Sequence, residues 1–192
     1  MENTAASPGA EGSGRPRSEP VVELGPPISD VPWSSEFVQQ TLEVLILALY
    51  EGSVVWLKPT HADSLHVGLS VPASPGDVVL ETLGWFDLRP RVVHSTSWRQ
   101  EAGRLVLTYV AVVEPAPSMP ADTLERTVVV RTDLARGEAT APPTGIGVAQ
   151  VVEHALRHLS WLIRDDAAIA AAIPEWVEVL DDYQPEPFRA LG

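Results

Sequence analysis

The chain has 192 residues, with 13 Lys plus Arg against 26 Asp plus Glu and no cysteine. That length suits one domain with a real core, and a formal charge of -13 works against nucleic-acid backbones and anionic lipid alike. Without cysteine there is no disulfide framework, thiolate nucleophile or cysteine zinc site, and the longest apolar run, Val44 to Tyr50, is far short of the roughly 20 residues that span a bilayer.

Met1 to Asp30 holds 4 Gly, 5 Pro and 4 Ser and no aromatic residue. Such a segment buries too little apolar surface to offset its ordering entropy, so a disordered tail is expected. It lacks the basic-then-apolar pattern of a signal peptide, and a cytoplasmic protein is expected. A single domain then runs over 31–192, beginning near Trp33, the first aromatic residue.

Ser34 to Tyr50 admits two readings. Ser34 or Ser35 caps a helix that Gly52 ends, with Gln39, Gln40, Leu42 and Glu43 as good helix formers. Alternatively, Tyr50-Glu51-Gly52-Ser53 is a hairpin turn into Ser53 to Lys58. A segment of this length is long for a strand, which favours the helix.

Ser64 to Val71 reads as a strand, because Leu65, Val67, Leu69 and Val71 alternate with His66, Gly68 and Ser70. Ser74-Pro75 opens a helix to about Phe86, with Val78, Val79, Leu83 and Phe86 inward. Arg91 to Arg99 and Arg104 to Glu114 form a hairpin joined by Gln100-Glu101-Ala102-Gly103. Pairing Arg99 with Arg104 sets His94 opposite Tyr109 and Trp98 opposite Leu105. A loop carrying Pro115, Pro117 and Pro120 follows, then a strand from Thr127 to Thr132 and a loop from Ala135 to Gly147. Val148 to Arg164 is an amphipathic helix. Asp165 or Asp166 caps a short helix to Ile173, and Pro174 opens another to about Tyr183. Strands first and helices last argue an α+β fold, with a mainly antiparallel or mixed sheet and a helical C-terminal segment.

Three places could carry chemistry. On the long helix, Val152, Ala155, Leu156, Leu159, Leu162 and Ile163 share one face, Glu153, Arg157, Ser160 and Arg164 lie opposite, and His154, His158, Trp161 and Asp165 form a stripe between them. Two histidines at i and i+4 can ligate one metal. Here they lack the adjacent Glu that a zinc protease helix uses as its base, so a half-covered helix flank is the plainer reading. In the hairpin, His94, Ser95, Trp98 and Tyr109 could form a polar floor under a pocket. A Ser/His catalytic pair is disfavoured there, since neighbouring strand residues point to opposite faces. A shared pocket requires His94 to meet His154 and His158 within about 12 Å, beyond which neither direct nor one-water contact is possible. Thr144-Gly145-Ile146-Gly147, ahead of the long helix, could receive an anion on its amides, but no P-loop Lys follows.

From Asp165 to Gly192 there are 7 acidic residues and one basic. With Trp176 and Tyr183 as anchors this acidic extension could grip a basic partner. The alternative is a capping segment with Trp176, Val177 and Leu180 packed on the core.

The order of elements resembles a Nudix fold. Val44 to Lys58 resembles its opening hairpin, Glu81-Thr82-Leu83-Gly84 the end of its signature helix, and the Arg91 to Glu114 hairpin with the helix from Val148 its later strands and closing helix. The resemblance implies magnesium-dependent diphosphate hydrolysis, yet the signature Arg and paired Glu are missing. Between Val67 and Gly84 the only carboxylates are Asp77 and Glu81, too few to surround hard cations. The expected function is therefore a non-enzymatic binding or interaction domain, with a protein partner or a second copy as its target. The alternative is a small-molecule or metal-dependent hydrolase with a pocket near His94 and His158. No cofactor is indicated by the sequence.

Overall fold

The computed structural model describes residues 39–70, 73–114, 123–134 and 145–184. The expectations for 1–30, for the proline-bearing loop at 115–120, for most of the 135–147 loop and for the C-terminal prolines lie outside these residues. Six strands form one sheet in the order β4-β5-β1-β2-β6, with β3 also paired to β1. The strands are β1 (Gln40–Tyr50), β2 (Ser53–Pro59), β3 (Leu65–Leu69), β4 (Pro90–Glu101), β5 (Arg104–Val113) and β6 (Leu124–Val128). Four helices accompany them: α1 (Pro75–Trp85), α2 (Val148–Asp165), α3 (Ala167–Ala172) and α4 (Trp176–Val179). The fold is thus α+β with a mixed sheet and a helical C-terminal segment. No helix among the described residues is long and apolar enough to cross a membrane.

The central strand β1 corrects the helical preference over Gln40 to Tyr50, while the cap expected at Ser34 or Ser35 and the domain start near Trp33 lie outside the described residues. It runs parallel to β5 and antiparallel to β2 and β3. Both of its faces are covered. Leu45 and Leu47 pack toward α2, while Leu42, Val44, Ile46 and Ala48 pack toward α1. A strand buried on both faces reads as an unbroken apolar run, without the alternation of a half-exposed strand. Glu51 and Gly52, with φ of 50° and 79°, then turn the chain in the left-handed pair of a two-residue hairpin.

The second hairpin uses the same turn, with Ala102 at φ 47° and Gly103 at φ 78°. The connection therefore takes two residues rather than four, and Glu101 pairs with Arg104. The expected register is displaced by two positions at the turn, and a bulge between Ser95 and Ser97 then takes one of them back. His94 lies opposite Val110, Ser95 opposite Tyr109, Ser97 opposite Thr108 and Trp98 opposite Leu107.

Helix α1 begins at Pro75 with Ser74 in extended conformation ahead of it, since proline at the first helical position loses no intrahelical bond. Its Val79 and Leu83 complete one core with β1 and β5. On the other face of the sheet, Val152, Leu156, Leu159 and Ile163 of α2 pack on Leu45, Leu47, Val110 and Val112. The Asp166 side chain accepts from the Ala168 amide to start α3. The strand expected over Thr127 to Thr132 lies earlier, as β6, because Val55 to Pro59 of β2 pair with Leu124 to Val128. The helix expected from Pro174 to Tyr183 spans only Trp176–Val179, continuing as turns.

Candidate functional site

Three histidines meet where α2 crosses β4. His94 shares its sheet face with its partner Val110, and Val110 belongs to the core under α2. The His94 and His158 rings stack with centroids 5.2 Å apart. One turn away, His154 lies 6.5 Å from His158, and the Trp161 ring meets His158 edge-on at 5.5 Å. Strand and helix histidines therefore converge, as a shared site requires. The His158 Nε2 atom is buried and has no hydrogen-bond partner. Burial, and then the neighbouring His94 and His154, push its pKa below the ordinary 6.5. His158 is consequently a neutral ring at pH 7.

Ser95, Trp98 and Tyr109 do not join this cluster. Tyr109 packs partly against the core under α1, and Ser95 is its cross-strand partner. Trp98 pairs with Leu107, which also faces that core, and 70% of Trp98 is exposed. The two-residue turn and the bulge separate these side chains from His94, so the anticipated His94–Tyr109 neighbourhood does not form.

The sheet also holds a charged network that the sequence reading passed over. Glu43, a helix former by propensity, sits on the central strand with no exposed surface. Arg99 donates to both of its carboxylate oxygens, at 2.6 and 3.1 Å. Thr108 donates to Oε2 at 3.0 Å and Ser64 to Oε1 at 3.2 Å. His66, opposite Glu43 on β3, places Nε2 3.7 Å from Oε1. Burial works against the charge of Glu43, but the guanidinium and hydroxyl bonds outweigh it and hold the carboxyl below its ordinary value. Its acceptor positions are engaged, so Glu43 is a structural anion rather than a free base. One signal could have found it. A lone carboxylate in an apolar run can be buried only with a partner, and Arg99 stands on polar β4, one strand beyond β5 in the sheet.

A second carboxylate, Glu153, was expected on the solvent side of α2 yet is 1% exposed. Arg131 reaches it with Nε and Nη2, Arg157 binds it one turn on at 2.8 Å, and the Thr132 amide donates to it. Ser160, also expected outside, is buried and donates to the Leu180 carbonyl. The cause is the C-terminal segment, whose Ile173, Trp176, Leu180 and Tyr183 fill the core beside α2. Trp176 and Tyr183 are therefore not free to anchor a basic partner. Two acidic groups of the extension are engaged as well, Glu175 with Arg91 and Asp181 with Arg164.

No metal centre is built from the described residues. They contain no group of three or more His, Asp or Glu side chains gathered to hold one ion. The pair His154 and His158 alone leaves an ion short of the three or four protein ligands of zinc sites. On α1, Asp77 and Glu81 are both exposed. At the start of α2 the Gly147 amide already donates to the Gln150 side chain, at 2.9 Å.

Among solved structures, the chain matches the crystal structure of a MutT/nudix family protein from Enterococcus faecalis. The TM-score is 0.55 at 12% identity, over 82% of this chain and 79% of that one. The fold is Nudix-like. The solution structure of the E. coli ORF135 protein matches at a TM-score of 0.32 and 11% identity, over 47% of this chain and 74% of that one. No family model matches the sequence, and no curated protein does. The likeness therefore describes the fold and the course of the chain, with the chemistry left to the residues themselves.

Proposed function

We propose that this Nudix-like chain is a non-enzymatic interaction domain that recognises a protein partner or a second copy of itself. The observation that carries this reading is Trp98, 70% exposed on β4, which pairs only with β5 among the described strands. Its cross-strand neighbour Leu107 is only partly buried. Large aromatic side chains presented beside apolar neighbours favour protein contacts. The case against turnover rests on the carboxylates. The helix that would bear the Nudix signature carries Asp77 and Glu81 alone, and Glu43 is saturated by Arg99, Thr108 and Ser64. The acidic composition and lack of cysteine support a cytoplasmic setting and a partner other than nucleic acid or membrane.

A second reading has its own support. The stacked His94 and His158, with the unpartnered Nε2 of His158, favour a small polar ligand at the α2–β4 seam, and a hydrolase if that ligand turns over. One experiment separates the two. Light scattering and native mass spectrometry of the purified full chain, over a wide concentration range, should give a dimer or a stoichiometric complex that Trp98→Ala disperses. Cleavage of nucleoside diphosphate derivatives to a nucleoside monophosphate with magnesium, lost in His158→Gln and unchanged in Trp98→Ala, would favour the hydrolase and defeat the interaction reading.

A further inference from the structure

We propose that the three-histidine seam between α2 and β4 is an acid-sensitive latch, which holds α2 on the sheet while His158 is neutral and loosens it when His158 takes up a proton. The cluster supplies the geometry. His94 of β4 stacks on His158 at 5.2 Å, and His154 lies 6.5 Å away on the same helix. The His158 Nε2 is sealed from solvent with no acceptor to receive a proton's hydrogen bond. A proton there places an unpaired charge on a buried ring atom, where burial penalises it.

Among the described residues, no anion acts on His158, Asp165 at the far end of its stripe included. The titratable groups that act on His158 are His94 and His154, both of which oppose a positive ring. Of the other charged groups on β4, Arg91 is bound to Glu175, and Arg99 to Glu43 and Glu101. On α2, Glu153 is occupied by Arg131 and Arg157, and Arg164 by Asp181. Helix α3 contains only Ala and Ile. The device is independent of the proposed interaction function.

The sign follows from the depressed affinity of His158 for protons. The unfolded chain binds a proton at the ordinary 6.5, whereas the folded seam resists it. Stability from this group is complete above that value and is lost as pH falls below it toward the folded value. Each additional proton bound by the unfolded state lowers the folding constant about tenfold per pH unit.

The test uses the full chain in urea at pH 7.5 to 5.0, as wild type and as His158→Gln. Below 6.5 the wild-type folding constant should fall more steeply with falling pH than that of the variant, by up to about tenfold per pH unit. Amide exchange, corrected for intrinsic rates, should lose protection along α2 before β1 as the wild type is acidified. Should His158→Gln fail to fold, ring NMR of wild-type His158 keeps the proposal open to refutation. A titration at or above 6.5 overturns it. Equal pH slopes for the two proteins, or α2 and β1 losing protection together, overturn it as well.

Discussion

At the scale of single residues, the buried pair of Glu43 and Arg99 decides most. Removing one member of a buried ion pair costs about 3–5 kcal/mol, because the other is left uncompensated. Glu43→Ala should therefore lower the urea-derived stability by about that amount, strongly for a single surface-distant site. Arg99→Lys should also destabilise, since an ammonium cannot reproduce the bidentate fork onto both oxygens of Glu43. The pH dependence has a definite sign. The folded Glu43 carboxyl is held below its ordinary 4.5, so its contribution is complete above that pH and is lost as pH falls through the lower folded value. Acid titration of stability should fall more shallowly below about pH 4.5 in Glu43→Gln than in the wild type.

At the scale of elements, the β4–β5 turn stores a correctable strain. Ala102 sits at φ 47°, in the left-handed region that disfavours a side chain with a Cβ and suits Asn or Gly. Ala102→Asn should raise stability by about 0.5–1 kcal/mol, read as a higher urea midpoint at unchanged slope. Helix α2 is held mainly by burial. Leu156 has no exposed surface and packs between the helix and the sheet. Leu156→Ala should cost about 2–5 kcal/mol through lost transfer energy and the cavity left behind. The amphipathic pattern of α2, the Pro75 start of α1 and the Asp166 cap of α3 were all legible in the chain, because each depends on contacts within a few residues. The register of the β4–β5 hairpin was not. It turns on whether two or four residues form the connection and on two register shifts within β4, and a slip of one position exchanges the faces of every side chain.

At the scale of the molecule, the C-terminal segment belongs to the core. Trp176 is 1% exposed and joins Ile173, Leu180 and Tyr183 beside α2. Trp176→Ala should cost about 3–5 kcal/mol. Trp98→Ala, by contrast, should leave the urea midpoint within about 0.5 kcal/mol while weakening association, as the interaction reading requires. The pair of outcomes separates aromatic residues that build the fold from those it presents.

Two properties were determined by the chain alone. The order of strand-like and helix-like segments carried the α+β class and the Nudix likeness. These depend on local pattern, which needs no coordinates. Tertiary structure decided the rest. It made Val44 to Tyr50 a strand by covering both of its faces, and it set Glu43 between Ser64, Arg99 and Thr108 from three separate segments. It also brought His94 onto His158 while sending Ser95, Trp98 and Tyr109 to the opposite face. Such meetings depend on register and layer packing, where one residue of displacement changes the neighbours of a whole strand.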